Sequence, residues 1–562
     1  MINQSEFRFQ MKDILETLYP KGDVERILGS MGRIIERYQH DEIILEKRKK
    51  YGDRIALSED DAILITYADT IRAKGEKPLR TLHRFLKTYV RSAVTCVHIL
   101  PFFPSSSDGG FSVIDYGSVA PEFGDWDDIQ AIGRDYRLMA DLVMNHVSSR
   151  SAWFQGFLRG DVRYRNYFLS FDEPVDTSRV FRPRLQPVLT EFDTAVGRKF
   201  VWTTFSEDQI DLNFHNPDVM LEILDVFMQY LSHGIEFIRL DAVAYIWKEP
   251  RTRCVNLPQT HEMVKLLRTV AEHVAPYAVI VTEVNFPYTD NLSYIEARHE
   301  ANMAYHFALP PLAIDSFIHK DTSILQEETA RIRQDLLFMN ILSSHDGIGL
   351  LSAREILPRS RFDALLEMTV AHGGRISYKA TDHGSMPYEL NITYYDAINS
   401  PLHPDTKIDV KRFMAACSLM LVDKGVPGIY IHCLLGSRND VNGVEATGIN
   451  RMINRERLSA EELSHDLSDP ESLRYQVLTR FLHLLNVRKQ IPAFHHSVKR
   501  DILPSDNRLF IMERWHRERR MVAVVNVSQD TIDLPQYRGM TGRIRNMLFD
   551  GSIEPYGVYF LE

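Results

Sequence analysis

Cysteine is scarce: Cys96, Cys254, Cys417 and Cys433 are the only four in 562 residues, and none is spaced as Cys-x-x-Cys. That excludes a disulfide scaffold and a thiolate zinc site, and a reducing cytoplasm is the simplest compartment. Long apolar runs are missing too. No stretch reaches the ~18 uncharged apolar residues that a membrane span requires. Glu6, Arg8, Lys12, Asp13 and Glu16 interrupt the segment from Met1 to Pro20, so no secretory leader is expected. Nor is there a charged tail. The 66 Lys and Arg against 76 Asp and Glu leave a formal charge of −10 spread along the chain, which disfavours nucleic acid as a partner because phosphate backbones demand a concentrated basic face.

What is present belongs to a folded enzyme-sized protein: 44% hydrophobic and 25% charged residues exclude disorder as the main theme. Eight short apolar, β-branched runs recur along the chain: 62–67, 94–101, 138–145, 235–241, 279–283, 303–306, 337–344 and 426–431. Segments with helical spacing, such as Met220 to Leu231 and Glu262 to Val274, lie between them. Eight strand–helix repeats predict an α/β fold, a (β/α)8 TIM barrel. The rhythm breaks between Val147 and about Asn216, rich in Arg, Pro and aromatics, which reads as an inserted subdomain after strand 3. It breaks again from His372 to Pro404, where Gly373, Gly374, Gly384, Pro387, Pro401 and Pro404 predict a long active-site loop. Period-two patterns after about Pro504 predict a small C-terminal antiparallel β domain. The expected organisation is therefore an N-terminal helical extension over 1–60, a barrel over 61–146 and 217–503, the insertion over 147–216, and the β domain over 504–562. The run Glu46-Lys47-Arg48-Lys49-Lys50 is expected to be a solvated helix face.

Barrel enzymes carry their chemistry at the carboxyl ends of the strands, and several of the expected strands end in polar residues. The third ends in Asp141 to His146, the fourth in Arg239-Leu240-Asp241, the fifth in Thr282-Glu283 and the seventh in Ser344-His345-Asp346, while the second runs into Pro104 to Phe111. Asp241, Glu283 and Asp346 thus converge with His146, His345 and Arg239. A sugar acetal requires one carboxylate at the anomeric carbon and one carboxylic acid at the leaving oxygen. Arg239, two residues before Asp241 on one strand face, can hold that carboxylate ionised.

These segments resemble the four ordered motifs of the α-amylase family, glycoside hydrolase family 13. Leu64 to Asp69, Val97 to Phe103, Phe111 to Asp115, Arg182-Pro183-Arg184, Ala308 to Pro311, His345 to Gly349 and Ile453-Asn454-Arg455 narrow the likeness to the sucrose phosphorylase subfamily. The extra amino-terminal helices resemble its glucosylglycerate and glucosylglycerol phosphorylase branch. The resemblance implies Asp241 as nucleophile, Glu283 as general acid and base, and Asp346 as stabiliser of the transition state. It implies that Asp108, His146, Arg239, His345 and Arg455 hold the glucosyl hydroxyls, with Phe111 against the sugar ring unless it only packs its loop. Tyr245 is a further pocket candidate or a core residue. Arg184 and Tyr388 match positions that meet phosphate or acceptor, although Arg182 and Arg184 could instead pin the insertion. Asn285 and Glu389 stand where sucrose phosphorylases carry His and Gln, both facing the leaving group, which favours a small acceptor over fructose.

The resemblance implies reversible phosphorolysis of glucosylglycerate or glucosylglycerol, with inorganic phosphate as co-substrate and α-D-glucose 1-phosphate as product. The alternatives are a sucrose or sucrose 6'-phosphate phosphorylase, an α-glucoside hydrolase or transglucosidase, and a catalytically inactive barrel used for binding. No metal or other cofactor is expected, Asn145 lacking recognisable carboxylate partners for calcium. The expected assembly is a monomer or homodimer. Glycerate would call for a cation, which Arg184 or Lys379 could supply.

Overall fold

The computed structural model describes residues 4–297, 299–381 and 384–562. Eight strands, numbered in chain order, form the centre: β1 (Ile63–Thr66), β2 (Cys96–Ile99), β3 (Arg137–Val143), β4 (Ile235–Asp241), β5 (Val279–Thr282), β6 (Met303–Tyr305), β7 (Phe338–Ile341) and β8 (Val426–Tyr430). Every neighbouring pair is parallel and β8 returns to β1, so the sheet closes into a barrel in sequence order. The strands are buried at every residue and mostly apolar because both faces are covered, one by the barrel interior and the other by helices, and the charged exceptions, such as Asp141 and Arg239, are paired. The helix Pro217–Ser232 shows how the connections are specified: the Asn216 side chain caps its first turn, a proline opens it, and Ile223, Leu224, Phe227 and Leu231 are buried at helical spacing.

Three helices precede the barrel, Gln4–Leu18, Val24–Tyr38 and Glu42–Tyr51. The first lies along Pro258–Val274, and the second sets Ile27, Met31, Ile34 and Ile35 against Pro217–Ser232. The charge run on the third helix is not only a solvated face. Lys47 reaches down to the buried carboxylate of Glu236 at 2.5 Å, and Arg137 meets the same carboxylate at 2.6 Å. The segment after β3 holds the helix Ala152–Leu158 and the antiparallel strands Leu189–Thr194 and Gly197–Trp202. It is stitched back to the barrel by His146–Ser148 pairing with Gln209–Asp211.

The stretch from His372 to Pro404 differs from the expected loop. Arg375–Thr381 and Gly384–Asn391 pair as an antiparallel hairpin, followed by the helix Tyr394–Ile398; residues 382 and 383 lie outside the described residues. Pro387, a loop signal in the sequence, sits in a strand beside a register shift between Ser377 and Tyr378, where a missing N–H is tolerated. The terminal sheet is antiparallel and six-stranded, with Leu509–His516, Arg519–Asn526 and Val558–Leu561 at its centre. Alternation serves two cores. Leu509, Ile511, Val522 and Val524 pack within the β domain, while Phe510, Met512, Met521 and Ala523 face the barrel. This sheet begins at Arg500, ahead of the expected boundary, and the Arg500 guanidinium anchors it to Asp423 under the barrel at 2.7 Å.

Candidate active site

The strand ends β2, β3, β4, β5 and β7 bring Asp108, Phe111, His146, Asp241, Glu283, His345 and Asp346 around one pocket. The insertion adds Arg184, Phe205 and Gln209, the hairpin adds Tyr388, and the loops after β4 and β5 add Tyr245, Asn285 and Phe286.

Arg239 organises the floor from beneath. It is buried and does not line the pocket. Its Nη1 donates to Asp241 Oδ1 at 2.6 Å and to Asp141, whose other oxygen meets His98 Nε2 at 2.8 Å, while Nη2 lies 3.8 Å from Glu283 Oε2. Burial raises Asp241 above the ordinary carboxylate range, opposed by Arg239 and reinforced by Glu283. Burial raises Glu283 likewise, against Arg239. Two such carboxyls titrate as a pair. The one in direct contact with the guanidinium takes the charge and the more distant one keeps the proton.

The chain turns sharply after Asp241. Ala242 adopts φ 48°, a left-handed conformation unusual for a residue with a Cβ, and its N–H donates to Glu283 Oε2 at 3.2 Å. The two carboxyls are thereby tied through backbone as well as through Arg239.

Asp346 is held by three cationic or donor groups on one oxygen: Arg451 Nη1 at 2.6 Å, His345 Nε2 at 3.3 Å and Arg455 Nη2 at 3.5 Å. Burial works to raise its pKa, but these neighbours, Arg451 first, prevail and keep Asp346 well below the ordinary range. His345 stacks on Phe111 with ring centres 4.8 Å apart, and burial keeps its imidazole neutral. His146 Nε2 donates to the Phe111 carbonyl at 2.9 Å, which leaves Nδ1 to accept from Asn145 Nδ2 at 3.1 Å. Asp108 takes φ 51° and accepts from Gln209 Nε2 at 3.2 Å. The next residue must be glycine, because a Cβ on Gly109 would stand 2.9 Å from both Arg455 Nη1 and the Tyr67 hydroxyl.

On the open side, the Arg184 guanidinium lies 5.7 Å over the Phe205 ring and forms no ion pair with a carboxylate among the described residues. Tyr388 lines the wall nearby, and burial pushes its hydroxyl up. Tyr245 packs edge-on against Phe205 at 5.2 Å. Lys379 is not at the pocket surface; its ammonium sits 3.7 Å over the Phe181 ring, a layer behind Phe286, and burial lowers it to about 8.

Glu389 and Arg455, like Arg239 and Lys379, stand elsewhere than their sequence position suggested. Glu389 does not line the pocket; it is buried and grips Arg451 with both oxygens, at 3.1 and 2.8 Å. Arg455 lies one layer back, with Nε on the His345 carbonyl at 2.7 Å, and Arg451 lines the pocket in its stead. Sequence reasoning missed Arg451, which lies in the short 3-10 turn Asn450–Asn454, while Arg455 follows just past its end with non-helical backbone. Gln209, Phe205 and Phe286 carried no sequence signal. Asn145, the calcium-type position, gives its oxygen to the Lys248 ammonium at 2.7 Å, and Lys248 also meets Asp211 at 2.8 Å. Among the described residues no group of three or more His, Cys, Asp or Glu is arranged to hold a metal, and no helix is long and apolar enough to cross a membrane.

Residues 88–348 match the model of the α-amylase catalytic domain. The chain is 47% identical over 480 residues to a glucosylglycerate phosphorylase of Spirochaeta thermophila, covering 84% of this chain and 82% of the relative. It is 31% identical to a glucosylglycerol phosphorylase of Marinobacter adhaerens, over 77% and 87% of the two chains. The crystal structure of sucrose 6F-phosphate phosphorylase from Thermoanaerobacter thermosaccharolyticum superposes with a TM-score of 0.75 at 26% identity, covering 85% of this chain and 96% of that one. With its eight-stranded barrel, added antiparallel sheet and these relatives, the chain belongs to the α-amylase family, in the group that holds the glucosylglycerate, glucosylglycerol and sucrose phosphorylases.

Proposed function

We propose that this chain is a retaining glucosyl phosphorylase that converts glucosylglycerate and inorganic phosphate reversibly to α-D-glucose 1-phosphate and glycerate. The observation that carries the reading is the division of labour set by Arg239: Asp241 hydrogen-bonded at 2.6 Å and Glu283 in a looser ion pair beyond hydrogen-bonding distance at 3.8 Å. Asp241 attacks the anomeric carbon as a carboxylate while Glu283 gives its proton to the departing glycerate oxygen. A phosphate oxygen then attacks the same carbon, its proton passes to the Glu283 carboxylate, and Asp241 leaves as a carboxylate. Asp346, kept ionised by Arg451 and its neighbours, faces the positive charge that develops on the sugar ring.

His146, Phe111, His345 and Asp108 shape the glucosyl side, and Tyr245, Asn285 and Tyr388 the acceptor side. Arg184 supports an anionic acceptor, because it lines the mouth with its guanidinium unpaired by any carboxylate among the described residues and offers two parallel donors to a phosphate or to the glycerate carboxylate. Four buried free thiols suit a reducing cytoplasm. The decisive experiment incubates the protein with phosphate and glucosylglycerate, glucosylglycerol, sucrose or sucrose 6'-phosphate and assays α-D-glucose 1-phosphate. Glucosylglycerate is expected to rank first; release of free glucose without glucose 1-phosphate from every donor contradicts the proposal.

A further inference from the structure

Arg451 links two acidic groups that belong to different parts of the fold. Its Nη1 is 2.6 Å from Asp346 on the loop after β7, and its Nε and Nη2 form a two-point contact with Glu389 on the hairpin strand Gly384–Asn391, beside Tyr388. Asn391 closes the ring, its Nδ2 donating to Glu389 Oε1 at 2.5 Å and to the Asp346 backbone carbonyl at 3.2 Å. The backbone repeats the connection: Ile348 and Gly349, just past Asp346, pair with Leu390 and Glu389. Gly347 between them has φ 107°, and a Cβ there would stand 2.5 Å from the Leu390 carbonyl. One hydrogen-bonded unit therefore carries both Asp346 and the hairpin wall of the acceptor side.

We infer that Arg451 and Glu389 are a positioning couple: Glu389 touches no acceptor, but orients Arg451 so that Asp346 and the Tyr388 hairpin keep one fixed relation during glucosyl transfer. A lone Arg between two carboxylates has two competing poses, and the fork grip of Glu389 leaves Nη1 only one direction, toward Asp346. Such a couple acts on a transition state common to every acceptor, water included. An acceptor-contacting Glu389 would instead act on glycerate selectively, and its removal would favour that anion.

The inference rests on the proposed glucosyl transfer, and a double-mutant cycle tests it. Wild type, Glu389→Gln, Arg451→Lys and the double variant are assayed with α-D-glucose 1-phosphate and glycerate, glycerol or water. Glu389→Gln is isosteric and keeps a neutral partner for Arg451. It should lower kcat about tenfold by the same factor for all three acceptors, with KM for glycerate changed less than about twofold, the size of a coupling between contacting residues. Arg451→Lys, a point charge without a fork, should cost more, and adding Glu389→Gln to it should then cost less than about twofold. Arg451→Lys should keep more kcat than Arg451→Met with every acceptor, because it restores the positive charge beside Asp346, a rescue that loss of packing alone would not produce. Additive losses, or a KM for glycerate that improves selectively in Glu389→Gln, overturn the couple. A wild type that transfers glucose to water but not to glycerate or phosphate overturns the functional proposal and still leaves the cycle readable.

Discussion

Arg239 and Asp241 sit two residues apart on β4 and meet side chain to side chain at 2.6 Å, so one strand supplies both a buried carboxylate and the cation that keeps it charged. Two residues along a strand is one full pleat, which points both side chains to the barrel interior. If Asp241 is the nucleophile, Asp241→Asn should lower turnover by several orders of magnitude. A slow glucosyl analogue should label Asp241 in the native protein; a label on Asp346 would reverse the assignment.

The same contact predicts a pH dependence. Asp241 has to be ionised and Glu283 protonated, so kcat/KM should be bell-shaped. Burial raises both groups, which places the acid limb above the ~3.9 of a free aspartate. Arg239→Met removes positive charge from Asp241, disfavours its ionised form, and should move the acid limb to still higher pH. A limb that stays in place, or falls, argues that Arg239 does not set the charge on Asp241.

Arg184 offers a separate test because it lines the mouth without a carboxylate partner among the described residues. Arg184→Ala should raise KM for phosphate and slow phosphorolysis at least tenfold, the scale of one charge-assisted fork, while background hydrolysis changes little. Equal losses in the two reactions would mean that Arg184 only anchors the insertion.

Lys248 predicts stability instead of catalysis. Its ammonium is buried between Asn145 and Asp211, both fully buried. Lys248→Met removes the cation paired with the Asp211 carboxylate, which keeps hydrogen bonds from Thr204 and Asn145, and should cost about 3 kcal/mol, read as a lowered midpoint of thermal inactivation. Lys248→Met with Asp211→Asn should recover part of that loss. A single variant as heat-stable as wild type contradicts the pairing.

Much of this protein was legible along the chain. Seven of the eight barrel strands lie within their expected apolar runs and β3 starts one residue ahead, at Arg137, because a parallel strand covered on both faces writes its burial into consecutive residues. The carboxylates ending β4, β5 and β7 were legible for a related reason: strand ends in a closed barrel share one face whatever the loops do. The hairpin at Arg375–Asn391 was hidden by its glycines and by Pro387, since local turn chemistry marks irregularity without telling a loop from a bulged edge strand.

Sequence by itself determined the barrel, the order of its motifs and the three carboxylates at one mouth, because periodicity and strand ends are local properties. Beyond the Arg239–Asp241 pair on one strand, only the tertiary structure decided which cation serves which anion. Arg451 meets Glu389 across 62 positions of chain, Lys248 meets Asn145 across 103, and Lys47 meets Glu236 across 189. A partner at that separation depends on how loops from different strands fold over one another. Glu389, which by position alone belonged at the acceptor, is turned onto Arg451 because a carboxylate buried beside a guanidinium is far better satisfied there than unpaired at the wall.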